Sequence, residues 1–126
     1  MYRSMMQIYV KNSNQAVAFY QNAFETEVLC NYQNDDGTVG HAELDVFGQI
    51  LAICETREKD VSAGNSMQFC LHMGEGNETF VKNMYDALIE DCIKLHTPIT
   101  SPGECPWSPY LFGLIDKFGV NWCIYV

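Results

Sequence analysis

The chain has 126 residues, of which 48% are hydrophobic, and this size and composition are typical of one folded domain. Its formal net charge is −9 with only seven Lys and Arg residues, which excludes the basic surface that nucleic acids and anionic membranes require. No apolar run is long enough to span a membrane, and the first ten residues lack the features of a secretion signal. We therefore expect a cytoplasmic protein whose partner is neither a nucleic acid nor a membrane.

The first part of the chain, about residues 1–56, predicts the element order β-α-β-β-β. A strand at 5–10 precedes a helix at 15–24, whose apolar residues recur at helical spacing. Asn12 or Ser13 is the candidate N-terminal cap of this helix. Three strands follow, separated by the turn sequences NDDG and Phe47-Gly48, at 27–32, 39–46 and 49–55.

The remaining sequence predicts the same element order a second time. A linker at about 57–66, charged and then rich in small residues, leads into the second module, about 67–126. Its helix has one apolar stripe that runs from Phe80 to Cys92. The predicted strands are 67–73, a short one around Ile99 in a Pro-rich loop, 110–116 and 121–126. The chain is thus predicted to be an α+β protein built from two β-α-β-β-β modules within a single domain.

Similar sequences end the two modules. DVFGQILAICE begins at Asp45 and DKFGVNWCIYV begins at Asp116, and their Asp, Phe, Gly and Ile matches share one offset of 71 residues. Asp-x-Phe-Gly is typical of a turn, because the Asp side chain binds backbone ahead of it and Gly adopts positive φ. This similarity predicts an internal repeat with a shared last turn and last strand.

Alternation within the strands predicts one apolar face for a helix to cover and one face of mixed chemistry. Amides, thiols, imidazoles and phenols are poor core residues, and the thiols and phenols are also unusual on a plain solvent-exposed face, so we predict that this face lines a ligand pocket. Solvent contact alone is the other interpretation. The same alternation places Phe112 in the pocket and Trp122 under the helix, while Trp107, in the loop, either closes the pocket or packs. The predicted ligand-binding residues are Gln7, Tyr9, Gln68, Cys70, His72, Trp107, Phe112, Asn121, Cys123 and Tyr125.

The paired modules resemble the vicinal oxygen chelate superfamily, which includes glyoxalases, bleomycin-resistance proteins and extradiol dioxygenases. AVAFYQNAF resembles the first helix of that superfamily, and GHAELDVFGQILAICE and DKFGVNW, preceded by Trp107, resemble its PhnB-like branch. The resemblance covers essentially the whole chain. It implies cupped mixed sheets around a cleft, helices on the outer face, a small-molecule ligand and a homodimer.

Metal-dependent members of the superfamily place a His or a carboxylate on the first and last strands of each module. The matching positions here are Met5, Ala52, Gln68 and Cys123, and none of them is His, Asp or Glu. The resemblance therefore implies a degenerate metal site, with no metal and no cofactor, and it excludes the iron centre of an extradiol dioxygenase. A soft-metal site from Met5 and Cys123 is the alternative.

Two pairs of residues are candidates for chemistry. His41 and Glu43 share one face of the third strand, where they are the candidate catalytic base and its orienting carboxylate. A structural histidine beside a solvated carboxylate is the other interpretation. Cys70 and His72 form a possible nucleophile pair. His96, after the second helix, is expected at the surface or as a cation at the helix C-terminus.

Six cysteines are present without any C-x-x-C pair, which excludes zinc-finger and thioredoxin spacing. Four of them lie inside predicted elements, where a free Cys is usually a small apolar residue, and we expect reduced thiols: Cys54, Cys70, Cys92 and Cys123.

Two functions are consistent with these patterns. The first is a PhnB-like protein that binds a small, partly apolar molecule in its cleft without the usual metal. The second is a lyase or isomerase of small-molecule metabolism that uses His41 and Glu43 for proton transfer. No Walker motif, G-x-G-x-x-G loop or G-x-S-x-G elbow is present, so nucleotide and serine-hydrolase chemistry are not indicated.

Overall fold

The structure, a computed structural model, describes residues 1–62, 64–100 and 110–126. It divides into two units, Met1–Val61 and Ser62–Val126. Each unit has one helix and one four-stranded mixed sheet, so the predicted α+β class with two β-α-β-β-β modules is confirmed.

Five elements make up the first unit. Its sheet has the order β1-β4-β3-β2, in which β1 is parallel to β4 and the other pairs are antiparallel. The helix buries Ala16, Val17 and Tyr20, which recur at helical spacing. The elements are β1 (Met5–Val10), α1 (Ser13–Ala23), β2 (Val28–Gln33), β3 (Val39–Val46) and β4 (Gln49–Glu55).

Helix α1 begins at a cap supplied by another element. Asn12 occupies the N-cap position with φ 57°, but its side chain makes no capping bond. Instead the backbone N–H and the Oγ of Ser13 both donate to Glu55 Oε1, at 3.1 and 2.9 Å. Ser13 Oγ also accepts from the buried N–H of Val39 at 2.9 Å. The helix start is therefore fixed to β3 and to the end of β4, a tie that local sequence does not predict.

The second unit repeats this topology with the sheet order β5-β8-β7-β6, in which β5 is parallel to β8. The short strand predicted around Ile99 is wrong in position, because the strand that pairs with β7 comes directly after the helix, at Lys94–Thr97. Both helices have 11 residues, and within the described residues none is long and apolar enough to cross a membrane. The elements are β5 (Phe69–His72), α2 (Glu78–Leu88), β6 (Lys94–Thr97), β7 (Leu111–Ile115) and β8 (Asn121–Tyr125).

The core of the second unit corrects the predicted position of Phe112. Phe112 pairs with Ile124 and is fully buried, and its ring contacts Tyr85 of α2 edge to face at 5.2 Å between centroids. Directly paired residues point to the same face of a sheet, so Phe112 belongs to the helix side and not to the mixed face. Trp122 is fully buried on the same face, as predicted.

The two final hairpins have turns of different length. In the first unit, Phe47 and Gly48 form a two-residue turn with φ values of 53° and 93°, and Asp45 Oδ1 accepts from Gly48 N at 2.7 Å. In the second unit, Asp116 N donates to Val120 O, which leaves three residues in the turn. The last strands therefore repeat as predicted, but the prediction of a shared last turn is wrong by one residue.

Candidate functional site

Strand pairing brings four side chains of the first unit into one row across the mixed face of its sheet. Tyr9 pairs with Cys54, Cys54 contacts His41, and His41 pairs with Tyr32. Both tyrosines are exposed, at 58% and 68% of their surface, whereas Cys54 is only 7% exposed. We call these four residues the thiol row.

The neighbouring row on this face contains an ion pair. Arg3 binds Glu43 through two bonds, Nη1 to Oε1 at 2.5 Å and Nη2 to Oε2 at 3.0 Å. His41 Nε2 lies 2.8 Å from Glu43 Oε2, so the predicted His41–Glu43 pair is in direct contact. These hydrogen bonds, that from Arg3 first, lower the pKa of Glu43 to about 2 although its burial opposes the shift. Glu43 is therefore an ionised carboxylate with only 6% of its surface exposed.

Both ring nitrogens of His41 have protein partners. An ionised carboxylate can only accept, so Nε2 donates its hydrogen to Glu43 and, in the neutral ring, Nδ1 is an acceptor. That acceptor lies 3.8 Å from Cys54 Sγ. Burial raises the pKa of the Cys54 thiol, which favours S–H over thiolate at rest. Cys54 is buried in its strand, as predicted, but its contact with His41 was missed because no local spacing joins residues on different strands.

Gln7 and Tyr9, predicted to bind ligand, lie together on β1 at the edge of the same face. Gln7 Nε2 donates to the Tyr9 hydroxyl oxygen at 2.7 Å. This bond holds the phenol along the strand and leaves its ring exposed, which makes an aromatic surface available to a flat molecule.

On the mixed face of the second unit, Asn121 accepts hydrogen bonds from two side chains that are distant in sequence. Its Oδ1 accepts from Gln68 Nε2 at 3.1 Å and from His96 Nε2 at 2.8 Å. His96 Nδ1 lies 2.9 Å from Thr97 Oγ1. A Cβ at Gly113 would stand 2.4 Å from His96 Cε1, so the imidazole lies directly over the glycine backbone of β7. The prediction that His96 lies at the surface or at the C-terminus of the helix is therefore wrong, because His96 belongs to β6 and its ring covers β7. The sequence signal for this close approach was Gly113, an isolated glycine in an apolar strand.

The predicted Cys70–His72 pair is divided between different partners. Cys70 Sγ donates to Gln68 Oε1 at 3.7 Å. His72 stacks on Tyr125, with ring centroids 4.7 Å apart and planes 16° from parallel. Cys123 pairs with Cys70 in the register between β5 and β8 and so shares this face. The second unit thus has an aromatic pair beside an amide and imidazole cluster.

The four positions predicted to match metal ligands provide neither an imidazole nor a carboxylate. Ala52 is fully buried and pairs with Gln7 and Glu43, so its methyl group occupies the last-strand position of the first unit. Met5, Gln68 and Cys123 add a thioether, an amide and a thiol, a set that does not fit a hard cation. Within the described residues no group of three or more His, Cys, Asp or Glu side chains is arranged to hold a metal ion.

A surface depression of about 440 Å³ lies at the turn between β2 and β3. None of the predicted ligand-binding residues lines it, and Trp107 lies outside the described residues. Its lining is polar and exposed, and consists of Gln33, Asn34, Asp35, Asp36 and Arg57.

Comparison with known proteins identifies the fold. No protein-family model matches the chain, and no curated protein sequence matches it. Among solved structures, a PhnB protein from Bacillus cereus is 19% identical with a TM-score of 0.78 and covers 98% of both chains. Protein PA1353 from Pseudomonas aeruginosa is 16% identical with a TM-score of 0.79, covering 99% of this chain and 97% of that one. The fosfomycin resistance protein FosX from Listeria monocytogenes is 11% identical with a TM-score of 0.67, covering 98% and 91%. The chain therefore has the fold of the vicinal oxygen chelate superfamily, as its sequence resemblance predicted.

Proposed function

We propose that this protein binds a small, partly apolar molecule on the mixed faces of its sheets without using the usual metal. The observation that carries the proposal is the stacked His72–Tyr125 pair beside the Asn121 cluster of the second unit. Binding sites for small molecules typically combine apolar or aromatic surface with a few fixed polar groups. The fosfomycin resistance protein that shares the fold has a name that refers to a small molecule, which agrees with this class of ligand.

The polar part of this site is fixed before any ligand arrives. Asn121 Oδ1 accepts from Gln68, which directly precedes β5, and from His96 of β6, so the amide is held in one orientation on the sheet. A fixed polar group loses less conformational entropy on binding than a free side chain does. The exposed His72 ring, stacked on Tyr125, supplies a flat surface next to it.

A melting screen with a library of neutral and weakly charged metabolites tests the proposal. A ligand present at 100 times its dissociation constant stabilises a protein by about 2.7 kcal/mol, which gives a readily measured shift. We expect Asn121→Ala and His72→Ala to reduce that shift and Phe80→Ala to preserve it. Phe80 is a matched control, because it is an exposed aromatic residue on α2 and not on the mixed face. Equal shifts in all three variants would place the ligand elsewhere.

The 2.8 Å contact between His41 and Glu43 favours a second candidate function, a lyase or isomerase that transfers a proton through this pair. Turnover of a ligand found in the screen tests it. If the pair transfers the proton, His41→Ala and Glu43→Ala are expected to abolish turnover and to leave ligand binding intact. If the parent protein binds the ligand without converting it, only the proposed binding function is supported.

We also propose a homodimer and a cytoplasmic location, both of which follow from the resemblance and the composition. One chain has a mass of 14.3 kDa, so sedimentation equilibrium distinguishes a monomer from a dimer of twice that mass. A concentration-independent mass of one chain would contradict the dimer.

A further inference from the structure

Cys54 and His41 of the thiol row, together with Glu43 of the neighbouring row, form a relay of three groups that the proposed binding function does not use. Glu43 accepts from His41 Nε2, and His41 Nδ1 faces Cys54 Sγ. This order, carboxylate to imidazole to nucleophile, matches the arrangement by which a base activates a hydroxyl or thiol in nucleophilic catalysis. The carboxylate fixes the tautomer in which the nitrogen nearer the sulfur is the proton acceptor.

Arg3 keeps this relay in one state. Its two bonds to Glu43 hold the carboxylate ionised and prevent it from rotating away from His41. The position of Cys54 is also constrained, because this residue lies in the inner strand β4, between Tyr9 of β1 and His41 of β3. Glu43 is thus a positioning residue, and His41 and Cys54 are the groups that meet a substrate.

We propose that Cys54 is a nucleophilic thiol that adds to planar, uncharged conjugated carbonyl compounds, with His41 taking the thiol proton. The exposed rings of Tyr9 and Tyr32 stand at the two ends of the thiol row and suit a flat molecule laid over the sheet. The formal charge of −9 disfavours an anionic electrophile.

The addition balances without any further reactant. Cys54 Sγ forms a bond to the β-carbon as its proton passes to His41 Nδ1. The C=C π electrons move toward the carbonyl and give an enolate. The imidazolium then returns the proton to the enolate oxygen, and tautomerisation gives a saturated carbonyl thioether with a neutral His41.

N-Ethylmaleimide, a planar and uncharged conjugated carbonyl, is the probe. Its rate of addition to each cysteine of the intact chain is followed by peptide mass spectrometry at neutral pH. Cys70 is exposed and Cys30 is half-buried on the same face as Cys54, so burial alone predicts that Cys54 reacts last. The relay predicts that Cys54 reacts at least as fast as Cys70.

His41→Phe and His41→Gln supply the decisive comparison. Each removes the base while keeping side-chain volume, and each is expected to slow Cys54 by at least about tenfold, since general-base catalysis is typically larger than that. The rates of Cys30 and Cys70 are expected to stay the same, which shows that the sheet has remained folded. If one variant unfolds, all of its thiols react at the rates found in denaturant, and the other variant decides.

A slow Cys54 in the parent protein, or a rate that is unchanged or higher after His41 is replaced, overturns the proposal. A purely structural His41 gives this second result, because its loss only opens the site. The inference does not rest on the proposed ligand-binding function, since the labelling experiment involves no ligand and concerns only the first unit.

Discussion

At the scale of single residues, the Arg3–Glu43–His41 network determines how the first unit responds to acid. Its carboxylate has a folded-state pKa of about 2 against an ordinary value of 4.5, so the folded state binds this proton less readily than the unfolded state. A lowered folded pKa contributes stability that is present above about pH 4.5 and lost as the pH falls toward 2. The Arg3 side chain is 47% exposed, so solvent screening weakens the contribution of the ion pair to stability.

Arg3→Met is therefore expected to lower the free energy of unfolding at pH 7, because Glu43 loses both of its bonds to the guanidinium. The difference from the parent protein is expected to shrink as the pH falls from 4.5 toward 2, because the unfolded chain then binds a proton at Glu43 that the folded parent, with a Glu43 pKa of about 2, resists. Urea titrations across this range measure both effects. Arg57→Met is the matched control, since Arg57 is 71% exposed and lies 3.9 Å from Asp36. An equal and pH-independent loss in both variants would show that the network does not couple to acid stability.

A second residue-scale prediction concerns Gly113, over which the His96 ring lies. In Gly113→Ala the new Cβ would stand 2.4 Å from His96 Cε1, so the ring must move and release Asn121. We expect a loss of about 1–3 kcal/mol, as for other overpacked sites. The double variant with His96→Ala is expected to recover much of it, because the clash is gone.

Gly64→Ala provides the comparison for this substitution. A Cβ there would meet only Gly119 O at 3.9 Å, an ordinary contact, and the change is expected to fall within about 0.5 kcal/mol. Urea unfolding of the three variants measures these differences. A Gly113→Ala protein as stable as Gly64→Ala would mean that His96 does not rest on β7.

At the scale of elements, the two Asp-x-Phe-Gly turns share a sequence but differ in what they hold. Asp116 is fully buried and accepts from Phe118 N at 2.8 Å, Val120 N at 3.1 Å and Trp122 Nε1 at 2.9 Å. Asp45 is exposed and accepts from Gly48 N. The extra residue in the second turn allows one carboxylate to bind both the turn backbone and the buried indole.

This difference predicts unequal costs for the same substitution. Asp116→Ala leaves buried donors without their acceptor and is expected to cost about 3 kcal/mol, because bonds to charged groups contribute strongly and unpaired donors are penalised. Asp45→Ala loses one exposed bond and is expected to cost about 0.5 kcal/mol. Thermal and urea unfolding of the two variants measure the ratio. Equal losses would mean that the two turns are equivalent in energy as they are in sequence.

The elements also show where sequence patterns suffice and where they fail. Strands β1, β3 and β4 begin at their predicted residues, α1 begins two residues before its predicted start, and α2 begins two residues before its predicted apolar stripe, because alternation or helical spacing marks one buried face. Strand β7 is buried at every position, so its alternation is hidden and Phe112 was assigned to the wrong face. Strand β6 is short and polar, which gives it neither a period nor an apolar run.

The same limits apply to the candidate sites. An i, i+2 spacing predicts that His41 and Glu43 share a face, and the structure adds their 2.8 Å contact. Arg3 precedes the first strand, so no periodicity points to it. Cys54 reaches His41 through strand pairing, which local sequence does not contain.

At the scale of the whole molecule, the chain has the vicinal oxygen chelate fold, but the four positions proposed as equivalent to metal ligands include no His, Asp or Glu. We propose that these positions are Met5 on β1, Ala52 on β4, Gln68 directly before β5 and Cys123 on β8. Three of these side chains offer a thioether, an amide and a thiol, and Ala52 offers only a methyl group. This set suits neither Mg²⁺ nor Mn²⁺. Each helix buries apolar residues, which contribute to the stability of its unit independently of any ion.

Chelation is therefore expected to leave the stability of the protein unchanged. We expect the melting temperature to be the same in EDTA, in buffer, and after addition of Zn²⁺, Ni²⁺, Mn²⁺ or Fe²⁺, because a metal that binds only the folded state would raise it. Cu(I) is the sensitive case, since a thioether and a thiolate are its preferred ligands, and Met5→Leu and Cys123→Ser test whether any Cu(I) shift depends on them. A stoichiometric metal with a stabilising shift that survives both variants would contradict the degenerate site. His41, Glu43 and His72 would then be the side chains to replace next.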